Sequence, residues 1–158
     1  MRVQRINKTS TVPTKVNSTD AGWDLYADIR DSEDYTSACD PSQVPQLCIK
    51  AGDRALVSTG IKMAIPVGYY GRIADRSGNA FRAGLHVMAG VVDANFRGEI
   101  KVLLLNTDRN LDYCIKHGDR VAQIIIEKIY EGDLTEVLEG ESLDQTTRGE
   151  NGFGSSGK

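Results

Sequence analysis

Arg54-Ala55-Leu56-Val57-Ser58-Thr59-Gly60-Ile61-Lys62-Met63-Ala64-Ile65-Pro66-Val67-Gly68-Tyr69-Tyr70-Gly71-Arg72-Ile73-Ala74 holds three short runs rich in β-branched and aromatic residues, at 54–59, 61–65 and 69–74. Gly60 and Pro66-Val67-Gly68 separate them. Runs of this length bounded by glycine and proline read as strands joined by tight turns. The pattern extends in both directions: further runs stand at 23–27, 100–105 and 121–129, and Ala51-Gly52-Asp53 and His117-Gly118-Asp119 supply more turn signals. The spacing predicts an all-β sandwich or barrel. Residues 78–83 alone suggest a helical turn, too short to carry an α/β architecture.

With 158 residues and 40% hydrophobic content, the chain is expected to form one folded unit with a core of its own. A formal net charge of −3 and a pI near 5.4 argue against nucleic acid as a partner, because wrapping a polyanion needs a dense Lys/Arg footprint. Met1-Arg2-Val3-Gln4-Arg5-Ile6 lacks the apolar run of a signal peptide, and no stretch approaches the roughly 18 apolar residues of a membrane span. The expectation is a soluble intracellular protein, cytoplasmic or nuclear, without a membrane partner. Cys39, Cys48 and Cys114 form no CxxC pair and are odd in number, so they are expected to be reduced thiols. His86 and His117 fit no zinc-ligand pattern and are expected to be structural.

Residues 30–41 are acidic and polar, which predicts a long surface loop, either a tolerated insertion or a docking site for another protein. From Glu131 onward the apolar periodicity thins, and the last ten residues hold four glycines and two serines. Such a tail is expected to stay mobile until something orders it.

Four places carry candidate chemistry. Arg76-Ser77-Gly78 follows a strand, where a guanidinium fork, a hydroxyl and free N–H groups suit phosphate oxygens, although surface turns also look like this. In Gly90-Val91-Val92-Asp93-Ala94-Asn95-Phe96-Arg97-Gly98-Glu99 a hairpin is expected, with Gly90 letting a ligand approach the main chain. Asp93, after two β-branched residues, is expected to be a partly desolvated carboxylate that activates water, or else the head of an Asx-turn. Gln123 interrupts an apolar strand and needs a partner: a substrate oxygen, a water or a backbone group. The tail, with Arg148 for charge, Phe153 for a flat face and glycines for an anion nest, is either a ligand clamp or a flexible terminus.

In this order the segments resemble the five motifs of the homotrimeric dUTPase family, over nearly the whole chain. Ala21-Gly22-Trp23-Asp24-Leu25 resembles the first, Gly71-Arg72-Ile73-Ala74-Asp75-Arg76-Ser77-Gly78 the second and the Gly90-to-Glu99 segment the third. Gly118-Asp119-Arg120-Val121-Ala122-Gln123 resembles the fourth, and the tail from Arg148 to Gly157 the fifth. The resemblance implies a jelly-roll subunit, a distorted β-barrel, in a homotrimer with a flexible C-terminal arm. The core would span 1–130 with an acidic insertion at about 30–48, and the arm 131–158. It implies hydrolysis of dUTP to dUMP and pyrophosphate, which limits uracil in DNA and supplies dUMP for dTMP synthesis. Mg²⁺ would ride on the triphosphate, contacted through water near Asp24. Each site would take its first, second and fourth motifs from one chain, the third from another and the arm from the last.

Carried onto these residues, Asp93 is the base that deprotonates the attacking water. Arg76, Ser77, Gln123, Arg148, Ser155 and Ser156 match phosphate-contacting positions, Gly78 and Gly154 are further substrate contacts, and Phe153 offers the base a flat face. Main-chain groups of residues 87–93, notably at Val87, Gly90 and Val92, read the uracil edge, and Phe96 lies against the sugar. Two departures from the family stand out: the insertion, and Asp75 where proline is usual. Asp75 is expected to loosen its turn and place an adverse charge beside Arg76. A relative of dCTP deaminase, or a nucleotide-responsive binding protein that docks a partner through residues 30–48, are the competing readings.

Overall fold

Alternating burial shows why the chain builds strands. In the computed structural model, which describes residues 1–29, 46–152 and 155, the strand Lys101–Asn106 points Val102, Leu104 and Asn106 inward while the residues between face out or lie half-covered. In chain order the elements are β1 (Arg2–Arg5), β2 (Gly22–Tyr26), β3 (Gln46–Ile49), β4 (Arg54–Ser58), β5 (Ile61–Ala64), β6 (Tyr69–Ala74), α1 (Ser77–Ala83), β7 (Leu85–Ala89), β8 (Val91–Val92), β9 (Lys101–Asn106), β10 (Tyr113–Lys116) and β11 (Arg120–Lys128).

All pairings are antiparallel, in four small sheets ordered β1-β5, β10-β3, β2-β11-β6-β8 and β4-β9-β7, rather than in one closed barrel. The arrangement is a jelly roll whose inner faces share one core, centred on Leu25, Ile61, Val102, Leu104, Ile115 and Ile124. Buried Asn106 braces it, donating from Nδ2 to the carbonyls of Ile49 (3.1 Å) and Leu111 (2.9 Å). No helix among the described residues is long and apolar enough to cross a membrane.

Three expectations change. Cys48 and Cys114 face each other across β3 and β10 and form a disulfide, their Cα atoms 3.9 Å apart. They are 66 residues apart in sequence, so pairing by register, which spacing does not reveal, brings them together. Cys39 lies outside the described residues. The expected loop over 30–48 yields its last three residues to β3, where β10 pairs with them; the rest of it, 30–45, lies outside the described residues.

The Gly90 segment is also not a hairpin. β7 pairs with β9 and β8 with β6, so Gly90 is where the chain changes sheets. Its carbonyl accepts from the N–H of Ile73 at 2.8 Å, and a Cβ built there would lie 2.8 Å from the carbonyl oxygen of Ile73. The absence of a side chain at Gly90 therefore admits the neighbouring backbone.

Candidate active site

β11 is central in its sheet and places Gln123 directly opposite Asp24 on one side and Ala74 on the other. Asp24 is only 3% exposed, and a carboxylate so covered is costly unless donors surround it. Three do. Arg76 donates from Nε to Oδ1 at 2.9 Å, Gln123 from Nε2 to Oδ1 at 3.1 Å, and Arg120 from Nη1 to Oδ2 at 3.2 Å. Burial pushes the carboxyl's pKa up, but the hydrogen bonds from Arg76, Gln123 and Arg120 outweigh it and hold the group below its ordinary 3.8.

Each arginine uses one N–H on Asp24, so most of its donors remain for an anion. Arg76 is the N-cap of α1, and its carbonyl accepts from the N–H of both Asn79 and Ala80 at 2.9 Å. The N–H groups of Ser77 and Gly78 stand at the open first turn, outside the helical ladder, and the Ser77 side chain is exposed. The partner of Gln123 is thus a side chain on the facing strand. Arg120 was not singled out as a site residue. Parity along a strand puts it on the opposite face from Gln123, but the register shifts between Arg120 and Ala122 and turns it toward Asp24.

Asp93 lies elsewhere. With Ile73, Val91, Val92, Phe96 and other residues it lines a cavity of about 260 Å³, large enough for a base or sugar but not for a whole nucleoside triphosphate. Its side chain is exposed, not partly desolvated, because β8 is two residues long and ends before Asp93 reaches the core. Phe96 lies on the cavity wall with its ring over Gly98. β8 runs antiparallel to β6 with Val91 opposite Arg72 and Val92 opposite Gly71, so the chain carries Asp93 toward Tyr70, away from Arg76. At a strand rise of about 3.3 Å per residue, Asp93 and the Arg76 end of β6 are separated by roughly 15 Å or more. Within one chain the structure does not bring them together.

Other expected contacts are also placed. Val87 is buried, and its N–H already donates to Asp75 Oδ1 at 2.6 Å; Val92 is half-buried on the cavity wall. Asp75 has not loosened its turn: besides Val87 it meets Nδ1 of His86 at 2.8 Å, so both oxygens face β7. Arg148 is exposed and donates from Nε to the carbonyl of Asn151 at 2.8 Å, within its own turn. Ser155 is exposed, its N–H on the carbonyl of Gly152 at 3.0 Å. Phe153, Gly154 and Ser156 lie outside the described residues.

A jelly-roll subunit that sets two arginines around a buried aspartate, with a small cavity some distance away, has the makings of an all-β protein that handles phosphate. The dUTPase family model matches residues 40–157. The deoxyuridine 5'-triphosphate nucleotidohydrolase of Saccharomyces cerevisiae is 43% identical over 157 residues, 99% of this chain and 94% of its own. That of Paramecium bursaria Chlorella virus 1 is 41% identical over 98% of this chain and 96% of its own. Among solved structures, the Staphylococcus bacteriophage 80alpha dUTPase with dUPNHPP superimposes at a TM-score of 0.80, with 26% identity over 99% of this chain and 98% of that one. This chain belongs to the dUTPase family.

Proposed function

We propose that this chain is a dUTP diphosphatase, hydrolysing dUTP to dUMP and pyrophosphate in the cytoplasm or nucleus. The observation that carries this reading is the ring of donors on Asp24: Arg76, Arg120 and Gln123 are held by a carboxylate that stays ionised, so they are oriented before substrate arrives. Prepositioned donors stabilise charge moving onto departing pyrophosphate without reorganising during the reaction. Ser77 and the N–H groups of Ser77 and Gly78 extend the same phosphate surface.

Asp93 takes the proton from the water that attacks the α-phosphorus. Because it lies roughly 15 Å or more from Arg76 in its own chain, the working site joins Asp93 of one subunit to Arg76 of another, within a homotrimer. The main chain around Gly90 to Asp93 and the ring of Phe96 bind uracil and sugar; with the Val87 N–H and the Gly90 carbonyl already bonded within the protein, the base is read by the groups between Val91 and Asp93. A cavity of this size leaves little room for a C5-methyl, and overpacking of that kind costs about 1–3 kcal/mol.

The arm, residues 131–158, closes over the site of another subunit, with Arg148, Phe153, Gly154, Ser155 and Ser156 on the substrate. Exposure of Leu134 (100%), Leu138 (71%) and Leu143 (76%) supports this, because apolar side chains in that number call for a surface to cover them.

Mg²⁺ fits these residues as an ion carried in on the triphosphate. Among the described residues no three His, Cys, Asp or Glu side chains cluster to cage a metal, whereas Oδ2 of Asp24 accepts one hydrogen bond and keeps a lone pair for a metal-bound water. When bound, the ion neutralises charge on the triphosphate.

Pyrophosphate release from dUTP, dTTP, dCTP and UTP tests the reading. Turnover of dUTP is expected to exceed the others. Asp93→Asn is expected to lower it by roughly 10²–10⁴, with an unchanged melting temperature because the side chain is exposed. Equal turnover of all four nucleotides, or an active Asp93→Asn, would overturn it.

A further inference from the structure

We propose that Asp75 is a positioning residue for the phosphate site: it clamps the base of the α1 loop to β7 and so frees Arg76 to bind substrate. The inference rests on the placement of Arg76 at the phosphates.

The chain leaves β6 at Ala74, forms α1 and returns in β7, and Asp75 closes the base of this excursion by accepting the N–H of Val87 at 2.6 Å. Val87 is a firm anchor, buried and paired with Leu104 of β9. The bond also joins two sheets, since β6 lies with β11 and β2 while β7 lies with β9 and β4. Oδ2 of the same carboxylate meets His86 Nδ1 at 2.8 Å, which fixes the rotation of the group.

The excursion has few other holds. α1 buries none of its residues fully, and of them only Ala83, at its far end, packs against the core. Its far end is pinned where the N–H and hydroxyl of Thr107 donate to the carbonyl of Gly84 at 2.9 and 2.7 Å. At its near end, apart from Asp75, two side chains restrain it: Arg76 on Asp24, and Asn79, whose Nδ2 donates to the carbonyl of Arg120 at 3.0 Å. Asn79 holds the first turn of α1 to β11 but leaves the backbone between Ala74 and Arg76 free, so without the clamp the arginine that must hold phosphate would also have to fix that segment. A proline at position 75 would stiffen the turn by fixing its own φ, whereas Asp75 stiffens it through a charge-assisted bond to a rigid strand.

Charge alone predicts the opposite sign, because an anion next to Arg76 should weaken phosphate binding. Steady-state dUTP hydrolysis by wild type, Asp75→Ala, Asp75→Asn and Arg76→Ala, each measured well below its melting temperature, decides between them. The clamp predicts that Asp75→Ala loses about tenfold or more in kcat/KM, mostly in kcat. Asp75→Asn, which keeps the acceptor for Val87 but not the charge, stays within a few-fold of wild type. If Asp75→Ala does not fold, Asp75→Glu takes its place, since one added methylene displaces the acceptor and predicts the same loss. Turnover at or above wild type in Asp75→Ala overturns the clamp, whatever Asp75→Asn does. Undiminished turnover in Arg76→Ala overturns the phosphate role itself, a result separable from the first.

Discussion

Asp24 joins stability and chemistry in one side chain. Its carboxylate is covered, faces Arg76, Arg120 and Gln123, and has a pKa held below 3.8. A group whose pKa is depressed by folding stabilises the fold fully above its unfolded pKa, and that contribution drains away as pH falls through the folded value. Urea midpoints of wild type should therefore drop below about pH 4, and those of Asp24→Asn should drop less. Asp24→Asn should also lose turnover at neutral pH, about tenfold or more, because a neutral amide cannot hold two guanidinium groups. Turnover near wild type in that variant would remove Asp24 from the organisation of the site. Gln123 was legible in sequence as a polar residue needing a partner; that the partner is Asp24 was not, because one strand's pattern tells its face and not its neighbour. The exposure of Asp93 was hidden for a related reason: two apolar residues before it suggested burial, and only the brevity of β8 shows otherwise.

At the scale of elements, β2, β4, β5, β6, β9 and β11 correspond closely to the apolar runs of the sequence. β1, with all four residues exposed, carries no such imprint; its existence depends on pairing with β5. β3 and β10 are four residues long, and each buries one residue fully. The jelly roll itself came from the resemblance of motifs rather than from strand spacing, which fits a sandwich equally well. Gly90 marks an element boundary, where β7 and β8 join different sheets. Gly90→Ala should destabilise the fold by about 1–3 kcal/mol, because a methyl there collides with the backbone of Ile73 rather than a flexible side chain. Thermal melting checks this, and an unchanged transition would show that β6 and β8 can separate without cost.

For the whole molecule, the final strand ends at Lys128 and residues 131–151 are exposed. Chain ending after Thr147 should keep the oligomer, read by sizing with light scattering, and lose most dUTP turnover, since Arg148 and the glycine-rich segment go with the cut. Retained turnover would dismiss the clamp and leave the fold untouched.

The distance between Asp93 and Arg76 along β6 and β8 has a consequence for mixtures. Asp93→Asn and Arg76→Ala should each be inactive as pure preparations, yet damage opposite halves of a site. If the two are unfolded together and refolded at equal concentration, some sites will draw an intact Asp93 from one kind of chain and an intact Arg76 from the other. Random assortment makes roughly a quarter of the sites whole. Two dead proteins should then recover activity by exchange of subunits alone, whereas a site contained in a single chain would stay silent in every mixture.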